Sequence, residues 1–78
     1  MIEPKDLIIN VGLGAYEMFL GKETPNRHIS VVREKYSTAV HIKHIPTRLT
    51  AYCNDYRSQV KNRDKCLGIL NGLYKDKN

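Results

Sequence analysis

The sequence predicts the α+β class: a small β-sheet containing a hairpin, with a C-terminal helix packed on one face. Three observations carry this reading. Val40 to Ile45 is rich in β-branched residues and alternates, and Leu49 to Cys53 alternates again after the turn residues Pro46-Thr47-Arg48. Cys66, Ile69, Leu70 and Leu73 fall at the i, i+3, i+4, i+7 spacing of one helical face. Leu7, Ile8, Ile9 and Val11 supply a further strand near the start. With 78 residues and 41% hydrophobic content, these elements make one small domain with one modest core, and residues 75–78 form a flexible tail.

Taken in order, Met1 to Lys5 is a lead-in stiffened by Pro4, and Gly12 and Gly14 loosen the chain after the first strand. Gly12-Leu13-Gly14 lacks the third glycine and the βαβ setting of a nucleotide fingerprint. Ala15 to Leu20 reads as a short helix, with Tyr16, Phe19 and Leu20 at i, i+3, i+4 spacing. Core packing is the default for Met18 and Phe19; an exposed contact surface formed by Tyr16, Met18 and Phe19 is the alternative. Gly21 to Asn26 is a loop by composition, and Arg27 to Tyr36 carries mixed strand and helix signals. In the hairpin, Leu49, Ala51 and Cys53 share one face, and Thr50 and Tyr52 the other. Asn54-Asp55 breaks the strand, and Ser58 is placed to cap the final helix. That helix is expected to end near Leu70 or Tyr74, with Asn71-Gly72 as a left-handed cap. Gln59 and Asn62 extend its buried stripe backwards, so their amides need partners, expected among backbone groups of the hairpin.

Several function classes are excluded by composition. No apolar run approaches the roughly 20 residues that span a bilayer, and the N-terminus lacks a signal-peptide pattern, so a cytoplasmic protein without membrane contact is expected. Cys53 and Cys66 form no C-x-x-C pattern and read as buried, reduced thiols. Among His28, His41 and His44, the latter two lie three apart on a strand and point to opposite faces, which argues against a metal site. No Ser-His-Asp or Cys-His arrangement suggests catalysis, and no cofactor motif is present. Thirteen basic against eight acidic residues, net +5, suit an anionic partner, most often nucleic acid, and charge alone leaves a basic surface kept only for solubility about equally open.

Two blocks at a fixed spacing go further. Ala39-Val40-His41-Ile42-Lys43-His44-Ile45-Pro46-Thr47, then Cys53, then Arg57-Ser58-Gln59-Val60-Lys61-Asn62-Arg63 resembles the catalytic domain of bacterial class I peptide chain release factors, over roughly Lys35 to Leu70. Asp6-Leu7-Ile8-Ile9 is a weaker echo. The resemblance implies a helix just before the hairpin, at about Val32 to Ala39. It also implies a Gly-Gly-Gln loop that lets water attack peptidyl-tRNA in the ribosome. Ungapped counting places that tripeptide on Ile29-Ser30-Val31; no Gly-Gly-Gln occurs in the chain, and the preceding segment is about ten residues longer than the family's spacing. Arg48 stands where the family has Gly, so a different turn is expected there. The family's codon-reading domains have no counterpart in these residues.

The expectation is therefore a non-catalytic domain that binds the ribosome or structured RNA and modulates translation, termination or rescue. The alternative is a protein-interaction module that kept the fold without RNA binding. Lys43, Arg48, Arg57, Lys61, Arg63 and Lys65 are the candidate phosphate contacts, with Arg57, Lys61 and Lys65 as one helical ridge thinly compensated by Asp55 and Asp64. His44, Pro46, Thr47, Ser58, Gln59 and Asn62 are assigned structural roles.

Overall fold

The computed structural model describes residues 2–25 and 29–77. His28, and with it Asn26 of the expected loop and Asn78 of the expected tail, lies outside the described residues. After a 3₁₀ turn at Pro4–Asp6 come β1 (Leu7–Val11), α1 (Leu13–Leu20), α2 (Ser30–Lys35), β2 (Val40–His44), β3 (Thr50–Cys53) and α3 (Gln59–Lys77). The three strands form an antiparallel sheet in the order β1-β2-β3. Ile9 pairs with Ile42, and Ile42 with Ala51, so the two strand pairings share one register across the sheet.

Alternation in β2 and β3 sets the two faces. Val40, Ile42, Ala51 and Cys53 form the core with Cys66 and Leu70 of α3. Burying Val40, Ile42 and Leu70 stabilises by about 1.5–3 kcal/mol each, and the smaller Ala and Cys side chains by less. The opposite face carries His41, Lys43 and Tyr52, and α1 covers it, with Phe19 stacked on Tyr52 at 4.4 Å and Tyr16 on Tyr36 at 3.7 Å. The sheet is thus covered on both faces, by the C-terminal helix on one, as expected, and by α1 on the other.

Four expectations change. The helix before the hairpin is α2 at Ser30–Lys35, earlier than Val32 to Ala39. Its continuation is blocked because side chains from elsewhere take the carbonyls of Lys35, Ser37 and Thr38: Asn54, Gln59 and Asn62 donate to them at 3.4, 2.9 and 2.6 Å. Gly14 does not loosen the chain but sits inside α1; of the two glycines only Gly12 takes a positive φ, 74°, as the residue that starts the helix. The final helix passes through Asn71-Gly72 to Lys77, so residues 75–77 are helical and not a tail. Tyr74 supplies the reason, meeting the His44 ring edge-on at 5.5 Å and tying the last turns to the sheet. Lastly, the buried stripe of α3 is Asn62, Cys66 and Leu70, with Leu67 partly buried beside it, while Ile69 and Leu73 are exposed. The helix packs chiefly on β2 and β3, with only Leu7 of β1 against the same core, so the sheet buries a narrow i, i+4 line.

Candidate nucleic-acid interface

The site begins at the hairpin tip. The His44 amide donates to the Leu49 carbonyl and the Arg48 amide to the His44 carbonyl, both at 2.8 Å. His44 Nδ1 lies 2.8 Å from the Thr47 hydroxyl, which also accepts from the Leu49 amide at 3.3 Å. Pro46 occupies the intervening turn, where a missing N–H costs nothing. Arg48 closes the turn at φ 62°. Arg therefore adopts the left-handed geometry that the sequence reading expected it to resist; the four-residue turn fixes the conformation, at a cost of about 1–2 kcal/mol for a side chain bearing Cβ.

The entrance to α3 is held by side chains. The Ser58 carbonyl accepts from Asn62 N at 3.0 Å and its hydroxyl from Lys61 N at 3.3 Å, a cap as expected. Asn62 is wholly buried and fully satisfied. Its Nδ2 donates to Thr38 O at 2.6 Å and Tyr56 O at 2.8 Å, and its Oδ1 accepts from Tyr56 N at 2.9 Å and from Cys53 Sγ at 3.5 Å. The backbone partners lie in the segments entering β2 and leaving β3, and the one hairpin partner is the Cys53 thiol. Gln59 joins the same segment through Ser37 O but is solvent-exposed, so it does not lie on a buried stripe. Cys53 and Cys66 are buried free thiols, and burial pushes the Cys66 thiol up to about 11.

The six expected phosphate contacts do not form one surface. Lys43 and Arg48 line a groove of about 480 Å³ that reaches from Phe19 of α1 past Thr50 and Tyr52 of β3 to Ile69 of α3. Arg57 precedes α3 and lies near Glu34 and Lys35, and Arg63 faces Ile9, Val11 and Val60 near β1. Lys61 and Lys65 share a ridge, but Lys65 is ion-paired with Asp55 and lies 5.7 Å from the centre of the Tyr56 ring. That pair raises the Lys65 pKa and supplies the compensation expected to be thin. The first turn of α3 contains no acidic residue, so Lys61 sits at the positive helix end without a local carboxylate in its turn.

Sequence reasoning did not single out His41, Thr50 or Tyr52. The available signal was that β2 and β3 carry His41 and Tyr52 on the face opposite the core, which an exposed face would not need. His41 is 6% exposed and its Nδ1 has no hydrogen-bond partner. An unsatisfied buried group of this kind costs about 1–3 kcal/mol. Burial, and then the Lys43 charge, holds the imidazole below its usual range, so it is neutral at pH 7. His41 and His44 do lie on opposite faces, and no cluster of three metal-ligating side chains occurs among the described residues. Nor is any helix there long and apolar enough to cross a membrane. Tyr16 is half-buried in its stack, while Met18 and Phe19 are 50% and 58% exposed.

Comparison with known proteins follows the same outline. No protein-family model matches the chain. Peptide chain release factor 1 of Geobacter sulfurreducens is 35% identical over 99% of this chain, and that of Burkholderia cenocepacia 37% over 97%. The chain spans about a fifth of the length of these relatives, 20% and 18%. Among solved structures, RF2 of Thermus thermophilus superposes with a TM-score of 0.67 at 28% identity, covering 99% of this chain and 19% of that one. Sequence and fold agree over nearly the whole chain: it is a release-factor-like domain.

Proposed function

We propose that this chain is a non-catalytic release-factor-like domain that binds the ribosome or structured RNA in the cytoplasm and modulates translation, termination or rescue. One observation carries the reading. The hairpin and capped helix of the domain are kept, while the segment that ungapped counting sets on the family's Gly-Gly-Gln has ordinary extended and helical backbone, with no positive φ. Ile29 has φ −74°, and Ser30 and Val31 open α2. A loop that must bring its backbone against an ester bond uses glycine's freedom; stiff β-branched residues in a helix do not supply it.

The net charge of +5, and a first turn of α3 that carries Lys61 and no acidic residue, support an RNA partner. Pelleting with purified ribosomes across a salt series tests this: retention at low salt that falls steeply with added salt is the expected result. No retention at any salt contradicts it. Exposed Met18 and Phe19 favour a second reading, a protein-interaction module, which capture of a salt-insensitive protein partner lost in Phe19→Ala supports instead.

A further inference from the structure

We propose that the groove between α1 and the β2–β3 hairpin binds one nucleotide of a single-stranded RNA segment, its base on Phe19 and its phosphate on Lys43 and Arg48. The inference rests on the RNA-binding reading above and names the surface that does the binding. The groove is lined by Met18 and Phe19 of α1, by His41, Lys43, Arg48 and Tyr52 of the hairpin, and at its far side by Ile69 of α3. Two cations and no carboxylate line it. The carboxylate of α1, Glu17, is engaged elsewhere, accepting from Thr24 N at 2.9 Å.

The aromatic geometry selects the ligand. Phe19 lies nearly parallel to Tyr52, at 16° and 4.4 Å, yet remains 58% exposed, so one ring face is stacked and the other is open. A base on the open face continues a stack that already exists, and stacking of this type accepts any base. Lys43, on the strand beside Thr50, and Arg48, at the hairpin tip, place positive charge along the same groove. A planar ring next to an anion is the chemistry of a nucleotide; an acidic peptide would use the cations and leave the ring idle. His41, which also lines the groove, is more than nine-tenths buried, and its Nδ1 has no hydrogen-bond partner among the described residues.

The test uses the full chain, an end-labelled oligouridylate of eight nucleotides read by fluorescence anisotropy, and polyglutamate as competitor. Wild type is expected to bind the oligonucleotide. Phe19→Leu, which keeps apolar bulk but removes the ring, should weaken binding roughly 5- to 160-fold, and Phe19→Tyr should restore it. Lys43→Gln with Arg48→Gly should flatten the salt slope by about 1.4, two single-strand phosphate contacts. Thermal melts confirm that each variant is folded. Unchanged affinity in folded Phe19→Leu, with wild type still pelleting with ribosomes, overturns the groove and leaves the RNA-binding function standing. Wild type that binds neither ribosomes nor oligonucleotide overturns both. Displacement by polyglutamate as efficient as by unlabelled RNA overturns the nucleotide assignment in favour of an acidic peptide.

Discussion

Replacing Asn62 by Ala removes one side chain and breaks four hydrogen bonds. Three involve strong backbone partners: Thr38 O, Tyr56 O and Tyr56 N, at 2.6–2.9 Å. Each such bond contributes about 0.5–1.5 kcal/mol net. Tyr56 O keeps a second donor, the Thr38 hydroxyl at 2.9 Å, so its loss is the smallest. Thr38 O and Tyr56 N lose partners in a partly buried setting. The sum is about 2–4 kcal/mol, a large share of the roughly 4–12 kcal/mol that 78 residues sustain. At about 4–8 °C per kcal/mol, the midpoint of thermal unfolding should fall by at least about 8 °C. Asn62→Asp is the sharper variant. It keeps the acceptor for Tyr56 N but points a carboxylate oxygen at the Thr38 and Tyr56 carbonyls, so it should destabilise at least as much as Ala. Urea unfolding of both variants measures this. A loss under about 0.5 kcal/mol in Ala, or an Asp variant as stable as wild type, refutes the assignment of Asn62 as the clasp between α3 and the strand ends.

Other expectations follow from single residues. Arg48→Gly should stabilise by about 0.5–1 kcal/mol in urea unfolding, the left-handed cost of about 1–2 kcal/mol being partly offset by glycine's unfolded-state entropy. Lys61→Ala should weaken ribosomal RNA binding and flatten its salt slope by about 0.7–0.9; Lys65→Ala should do less, because Asp55 already neutralises Lys65, and the double variant should track Lys61→Ala. The depressed His41 pKa gives a signed pH effect. Below the ordinary value of 6.5 the unfolded chain takes up the proton before the folded one. His41 thus contributes stability that is present above pH 6.5 and lost as pH falls towards the folded pKa. His41→Leu should flatten that part of the stability–pH curve, as followed by urea titrations at several pH values.

The elements that were legible in the sequence share one property: their signals are local. The β2–β3 alternation, the Ser58 cap and the short α1 depend on residues a few positions apart, and each formed as expected. What was missed depends on distant partners. Nothing near Gly72 announces that Tyr74 reaches His44, so an interior glycine costing about 1 kcal/mol against Ala reads as a helix end. The early stop of α2 comes from Asn54, Gln59 and Asn62, which are 19–24 residues away from the carbonyls they take. The Lys65–Asp55 pair joins a helix to a loop ten residues earlier and splits an apparently uniform basic ridge. The groove was invisible for a related reason. His41, Lys43 and Tyr52 read as the outer face of a hairpin until α1 is laid across it, and Phe19 then becomes a wall of a site instead of core.

The central claim, binding without catalysis, is tested most directly on ribosomes programmed with a stop codon and carrying labelled peptidyl-tRNA. The same sample is pelleted to measure occupancy by this protein and extracted to measure released peptide. The account predicts salt-sensitive occupancy with ester release no higher than in ribosomes alone. Release above that background, or absence of the protein from the pellet, contradicts it.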